Sequence, residues 1–202
     1  MHNKTNSSLK AKYTFSEKNR ELKAYFNLLN NEQKTKFWIK TLLSVFNNIP
    51  EIIKAVDKII EMQASSISFI SDIYNTEKST KNQVEKVIDL SERKNNLLNI
   101  YLISKTLFSS VDEEERLFLE RKYIFNWTTE ELSKEYNVCT RTIFRKIERC
   151  IDKIYLAVKR KNWSLQFINL QVKNESWLNE KYYKLIRDYY FSTKTLSNEL
   201  EL

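Results

Sequence analysis

Apolar residues recur through most of this chain at the three- and four-residue intervals of amphipathic helices. Thr14 and Glu17 form an S/T-x-x-E capping box, which predicts a first helix carrying Leu22, Tyr25, Phe26 and Leu29 and broken at Asn30 and Asn31. A second helix carries Phe37, Trp38, Thr41, Leu42, Val45 and Phe46 and ends at Asn47 and Asn48. Pro50 suits the first turn of a third, with Ile52, Ile53, Val56, Ile59 and Ile60. Ile67, Phe69, Ile70 and Ile73 fit a short helix or a loop lying on the core. Thr80 and Gln83 make another capping box, opening a long helix to about Phe108 whose polar middle, Ser91–Asn96, is expected to be solvated.

Beyond Ser109–Ser110, the expected boundary between modules, the pattern sharpens. Ser110 and Glu113 predict a helix start, with Asp112, Glu114 and Glu115 favourable at its positive end. Thr128 and Glu131 predict another, for a short helix to Tyr136. Asn137 stands where the chain must reverse, and asparagine tolerates the left-handed conformation better than most residues. The next helix starts near Thr140 and runs past Lys153. Residues 163–172 are ambiguous, and a last helix, about Trp177–Phe191, is aromatic.

The expectation is an all-α protein: an N-terminal helical bundle (14–109) after a disordered basic tail (1–13), then a helix-turn-helix domain (110–161) and a C-terminal helical extension (162–202). The chain of 202 residues contains no glycine and one proline. Glycine-rich phosphate cradles are therefore excluded, and sheet folds that need glycine at tight turns are disfavoured. No run of eighteen apolar residues predicts a membrane span, and the polar start lacks the apolar core of a signal peptide. Cys139 and Cys150 fall on one predicted helix, roughly 16 Å apart, too far to bridge. A reduced, cytoplasmic protein is the simple reading.

Net charge is +8. Between Arg141 and Lys161 eight basic residues face two acidic ones, so a net +6 is concentrated in one stretch. The same helix carries a stripe of Ile143, Ile147, Cys150, Ile151 and Ile154, which predicts a buried inner face and leaves Arg141, Thr142, Arg145, Glu148, Arg149 and Asp152 opposite it. Leu132, Ser133, Asn137, Val138, Ile143 and Ile147 fit a helix-turn-helix: a small residue lets two helices approach, and apolar anchors hold the second one with its outer face presented to a major groove. The expected partner is double-stranded DNA. Arg141 and Arg145, one turn apart, are placed to reach base edges, where arginine pairs with guanine through two hydrogen bonds. Thr140 is placed for a phosphate or a thymine methyl. Glu148 would accept from cytosine or pair with Arg145 or Arg149. Lys146, Arg149 and Lys153 are assigned to phosphates, with Lys159–Lys161 beyond them. Phe144, at the edge of the stripe, is expected in the core, as are Phe37, Trp38 and Phe46.

The stretch Asp112–Lys153 resembles region 4 of the sigma-70 family and the related phage-type and mollicute alternative sigma-like regulators, through EEER, ERKY, TTEELS and VCTRTIFRKI. It departs from the family pattern at Ser133 (alanine), Asn137 (glycine) and Cys139 (serine at the cap). The resemblance covers about a fifth of the chain. It implies a transcription regulator with no cofactor, Arg141 and Arg145 where family members touch promoter bases, and RNA polymerase core as a partner if the protein is a sigma subunit. No match to sigma region 2 is found, so a sigma factor and a free-standing regulator both stay open. Catalysis is not expected. The single histidine, His2, supplies neither a metal cluster nor a general base, and only Arg20 and Arg93 precede Arg116, too few for a serine recombinase. The rival reading is a non-enzymatic interaction protein that binds a protein partner through the turn motif and the aromatics Tyr182, Tyr183, Tyr189 and Tyr190.

Overall fold

The computed structural model describes residues 20–73 and 77–199, with side chains described for 20–66 and 81–192. The expected tail, the Thr14–Glu17 box and the packing of Ile67, Phe69, Ile70 and Ile73 lie outside these residues. The described residues form helices and no strands. They are α1 (20–28), α2 (Asn31–Val45), α3 (Asn48–Ile73), α4 (Glu77–Phe108), α5 (Glu113–Tyr123), α6 (Thr129–Glu135), α7 (Thr140–Arg160), α8 (Leu165–Val172) and α9 (Ser176–Glu199).

The centre of the structure is α2. Asn30 caps it by accepting from Gln33 N–H at 2.8 Å, and the Gln33 side chain accepts from Asn30 N–H in return. Its buried positions, Thr35, Phe37, Trp38, Ile39, Thr41, Leu42, Leu43 and Val45, leave little of its circumference free. A helix apolar on most sides is stable only when surrounded, and α2 is packed by α4, α5, α7, α8 and α9. The buried side chains, from Leu29 to Ile186, form one cluster that includes residues on both sides of Ser109–Ser110.

The α3 and α4 helices pack along one another, joined by Lys94 Nζ to Asp57 at 2.5 Å. At 1.5 Å per residue they span roughly 39 and 48 Å. The segment read as a short helix or loop continues α3 instead. Its serines do not break it: the hydroxyls of Ser65 and Ser66 donate back to the carbonyls of Glu61 and Met62, so their hydrogen bonds stay inside the helix. Likewise α4 begins at Glu77, before Thr80.

The polar middle of α4 is not merely solvated. Arg93 donates from Nε and Nη2, both at 3.1 Å, to the carboxylate of Glu175, at the α8–α9 junction. Glu175 is 1% exposed and also accepts from Trp177 Nε1 at 2.7 Å. The hydrogen-bonded carboxylate raises the Arg93 pKa.

The aromatics of α9 face inward more than expected. Tyr182 is buried, stacked on Trp38 with ring centroids 4.1 Å apart. Tyr190 is half-buried against Tyr25, and Tyr189 lies edge-on to Phe37. Of the four tyrosines, Tyr183 and Tyr189 remain exposed.

Replacing Glu175 with alanine strands the Arg93 guanidinium and the Trp177 indole N–H. Since Arg93 is about half solvated, the expected loss is about 1–3 kcal/mol of unfolding free energy. Urea unfolding of Glu175→Ala measures it; an unchanged midpoint would show that the junction does not depend on this pair.

Candidate nucleic-acid interface

Three helices and two asparagine turns position the predicted residues. Asp112, not Ser110, caps α5, accepting from Glu115 N–H at 2.9 Å. Aspartate caps about as well as serine, and Asp112 sits directly before the acidic first turn. Thr128 and Glu131 form the expected reciprocal box at the start of α6. Asn137 has φ 50°, in the left-handed region. Around it Asn137 N–H donates to Lys134 O and Val138 N–H to Ser133 O, the paired bonds that close a helix on a left-handed residue. The Ser133 hydroxyl adds a bond to the Val138 carbonyl. The chain thus leaves α6 in a fixed direction and enters α7 after a four-residue connection.

Cys139 occupies the α7 cap without a side-chain cap hydrogen bond. Its sulfur lies 3.2 Å from Thr142 Oγ1. That hydroxyl holds the exposed thiol below its ordinary range. Cys150, within the core, is the opposite case: burial pushes its thiol up to about 11.

Burial on α7 follows the predicted stripe and extends it by a turn: Ile143, Ile147, Cys150, Ile151, Ile154 and Val158 are all inside, above Phe118 and Leu132. Thr140, Arg141, Thr142, Arg145, Glu148, Arg149 and Lys153 are exposed, and Lys146 is half-buried. Phe144 departs from its expected core position: it is 58% exposed.

The charges divide into two sets. Lys146 Nζ sits 2.6 Å from Glu114 and over the rings of Phe118 and Tyr136. Lys153 pairs with Glu115 and lies 3.5 Å from Asp112; the Glu115 hydrogen bond raises its pKa. These two lysines are turned toward the acidic start of α5. On the other flank Glu148 accepts from Lys40 Nζ at 2.6 Å, and Asp152 pairs with Lys36 at 2.7 Å. Glu148 is therefore engaged by α2, not by Arg145 or Arg149. Arg141, Arg145 and Arg149, on successive turns between these flanks, have no ion-pair partner among the described residues. Arg145 and Arg149 line an open groove whose far wall is Asp112, Glu114 and Glu115. Lys159, Arg160 and Lys161 extend the exposed cationic line at the end of α7.

Lys36 and Lys40 were not among the predicted site residues. Their signal is a matched spacing: two lysines four apart on α2 meet two acids four apart on α7. Among the described residues no cluster could hold a metal ion, and no helix is long and apolar enough to cross a membrane. No family model, no curated protein and no solved structure matches the chain.

Serine at position 139 would supply the cap acceptor that cysteine lacks. Cys139→Ser is expected to stabilise the protein by about 0.5–1 kcal/mol, read as a higher thermal midpoint. A lower midpoint would show that the Thr142–Cys139 contact outweighs the cap.

Proposed function

We propose that α6 and α7 form a helix-turn-helix that reads double-stranded DNA, with α7 in the major groove, and that the protein is a sequence-specific transcription regulator of the sigma-like kind. One observation carries this reading: Arg141, Arg145 and Arg149 stand exposed and unpaired on successive turns of α7, although carboxylates are close enough to engage Lys146 and Lys153. A guanidinium offers a rigid fork of donors that fits guanine O6 and N7, and a B-form major groove is wide enough to admit a helix. The rise of about 6 Å per four residues lets neighbouring arginines address neighbouring base pairs. Lys159, Arg160 and Lys161 would hold phosphate and set register. Region 4 of the sigma-70 family, which Asp112–Lys153 resembles, supports the same docking, with RNA polymerase core as a further partner if the protein is a sigma subunit.

A second reading, a protein-docking role, draws support from apolar side chains left exposed on the long helices: Ile59 and Met62 on α3, Val84 and Ile88 on α4. Burial of Tyr182 removes part of the aromatic surface that reading relied on. Retention of a random duplex at low salt separates the two; no retention at micromolar protein favours docking.

The base-reading role makes Arg145→Ala cost roughly 1–3 kcal/mol on the preferred duplex and relax base choice at one position. Equal affinity of variant and parent would remove Arg145 from the interface. The α5 carboxylates imply a second outcome. Exposed ion pairs of the Glu114–Lys146 kind are weak, so Glu114→Gln releases Lys146 to phosphate. Binding to random duplex should tighten, and log affinity against log salt should steepen by about one unit. An unchanged slope would mean that Lys146 never reaches the backbone.

A further inference from the structure

Phe144 is an anomaly on α7. Its neighbours Ile143 and Ile147 are buried, Phe118 on α5 lies inside, and Tyr136 and Tyr155 are half-buried. Phe144 is more than half exposed and takes part in no ring or cation contact among the described residues. At 100° per residue, positions 141, 144, 145 and 148 fall within about 100° of the helix circumference, with 144 at the edge next to the buried stripe. The bare ring therefore flanks the unpaired Arg141 and Arg145 on the Glu148 side, on the first two turns, the part of a recognition helix that approaches base edges.

We propose that Phe144 is a specificity-determining residue, its ring seated against the C5-methyl of a thymine in the major groove. This rests on the DNA-reading role of α7. The chemistry selects the target. Along the major-groove edge each base offers hydrogen-bond donors and acceptors, and thymine alone adds an apolar group. A ring with no polar atom gains nothing from the donors and acceptors and gains from the methyl. Insertion between bases is a minor-groove device that kinks the duplex, whereas a helix lying in the major groove presents its side chains to base edges. Phe144 thus supplies what the arginines cannot: discrimination for an A·T pair beside the G·C pairs that they favour, without any charge and so without any salt dependence.

The test uses the full chain and a duplex selected from a random pool, with each thymine replaced in turn by deoxyuridine, which lacks only the methyl. The parent is expected to bind one such duplex about four-fold more weakly, the effect of returning one methyl to water. Phe144→Ala should bind the thymine duplex weakly by at least that factor, lose the thymine–deoxyuridine difference at that position, and keep the parental salt slope. Because the ring is exposed, the thermal midpoint should not move. Phe144→Leu should retain part of the difference. A Phe144→Ala protein that still distinguishes thymine from deoxyuridine at the same position overturns the proposal, as does a parent indifferent to deoxyuridine throughout. Failure of the parent to retain any duplex is a separate outcome, which overturns the DNA-binding reading itself.

Discussion

The packing of α7 against α2 decides which side of α7 is available. With α2 buried on most of its circumference, its position is set by the whole core, and α7 is held to it by apolar contact and two ion pairs, Lys36–Asp152 and Lys40–Glu148. The pairs require the two helices to run in opposite directions in one register. Exposed ion pairs contribute little to stability, but a four-residue slip would keep only one of the two, so their effect is on alignment. The acidic start of α5 closes the other flank through Lys146 and Lys153. Between those flanks α7 has one free strip, and it carries Arg141, Arg145 and Arg149, with the exposed Phe144 at its margin.

A chain without glycine must still reverse direction between helices. Three described residues have positive φ, Asn126, Asn137 and Asn162, and they lie before α6, between α6 and α7, and after α7. Asparagine accepts this conformation at a smaller cost than other residues with a Cβ. At Asn162 the bonds Asn162 N–H to Lys159 O and Trp163 N–H to Val158 O repeat those at Asn137. Both ends of the segment that holds the arginines are thus fixed by the same backbone device.

Local signals proved legible where they are self-contained. The inner stripe of α7 is a matter of periodicity, the Thr128–Glu131 box a matter of spacing, and Asn137 a matter of backbone preference; each is found where the sequence put it. What failed depended on partners distant in the chain. Arg93 reads as solvated until Glu175, 82 residues away, is brought beside it. Tyr182 reads as a surface aromatic until Trp38 stacks on it. Nor does local sequence show that Lys146 and Lys153 pair with the carboxylates of α5. Phe144, at the margin of the stripe, goes whichever way the neighbouring helix leaves room, and periodicity does not resolve a margin. The continuation of α3 was hidden differently: serine hydroxyls compete for backbone hydrogen bonds and favour turns, whereas those of Ser65 and Ser66 bond to the preceding turn inside the helix.

The division of labour between lysine and arginine on α7 follows from their chemistry. An ammonium on a flexible stem can reach a carboxylate in several geometries, and Lys146 also covers two aromatic rings with its charge. A guanidinium has a fixed planar fork that is wasted on a poorly aligned carboxylate. Using lysines for internal pairs and keeping arginines for the outside lowers the attraction for any phosphate backbone while leaving the directional donors intact. For a DNA-reading protein this matters because the backbone term is common to every sequence, and a genome offers it everywhere. The carboxylates of α5 reduce that common term. On the DNA-reading proposal, a middle of α7 whose free charges are arginine would bind duplex DNA less strongly overall, but owe a larger share of its binding to base edges.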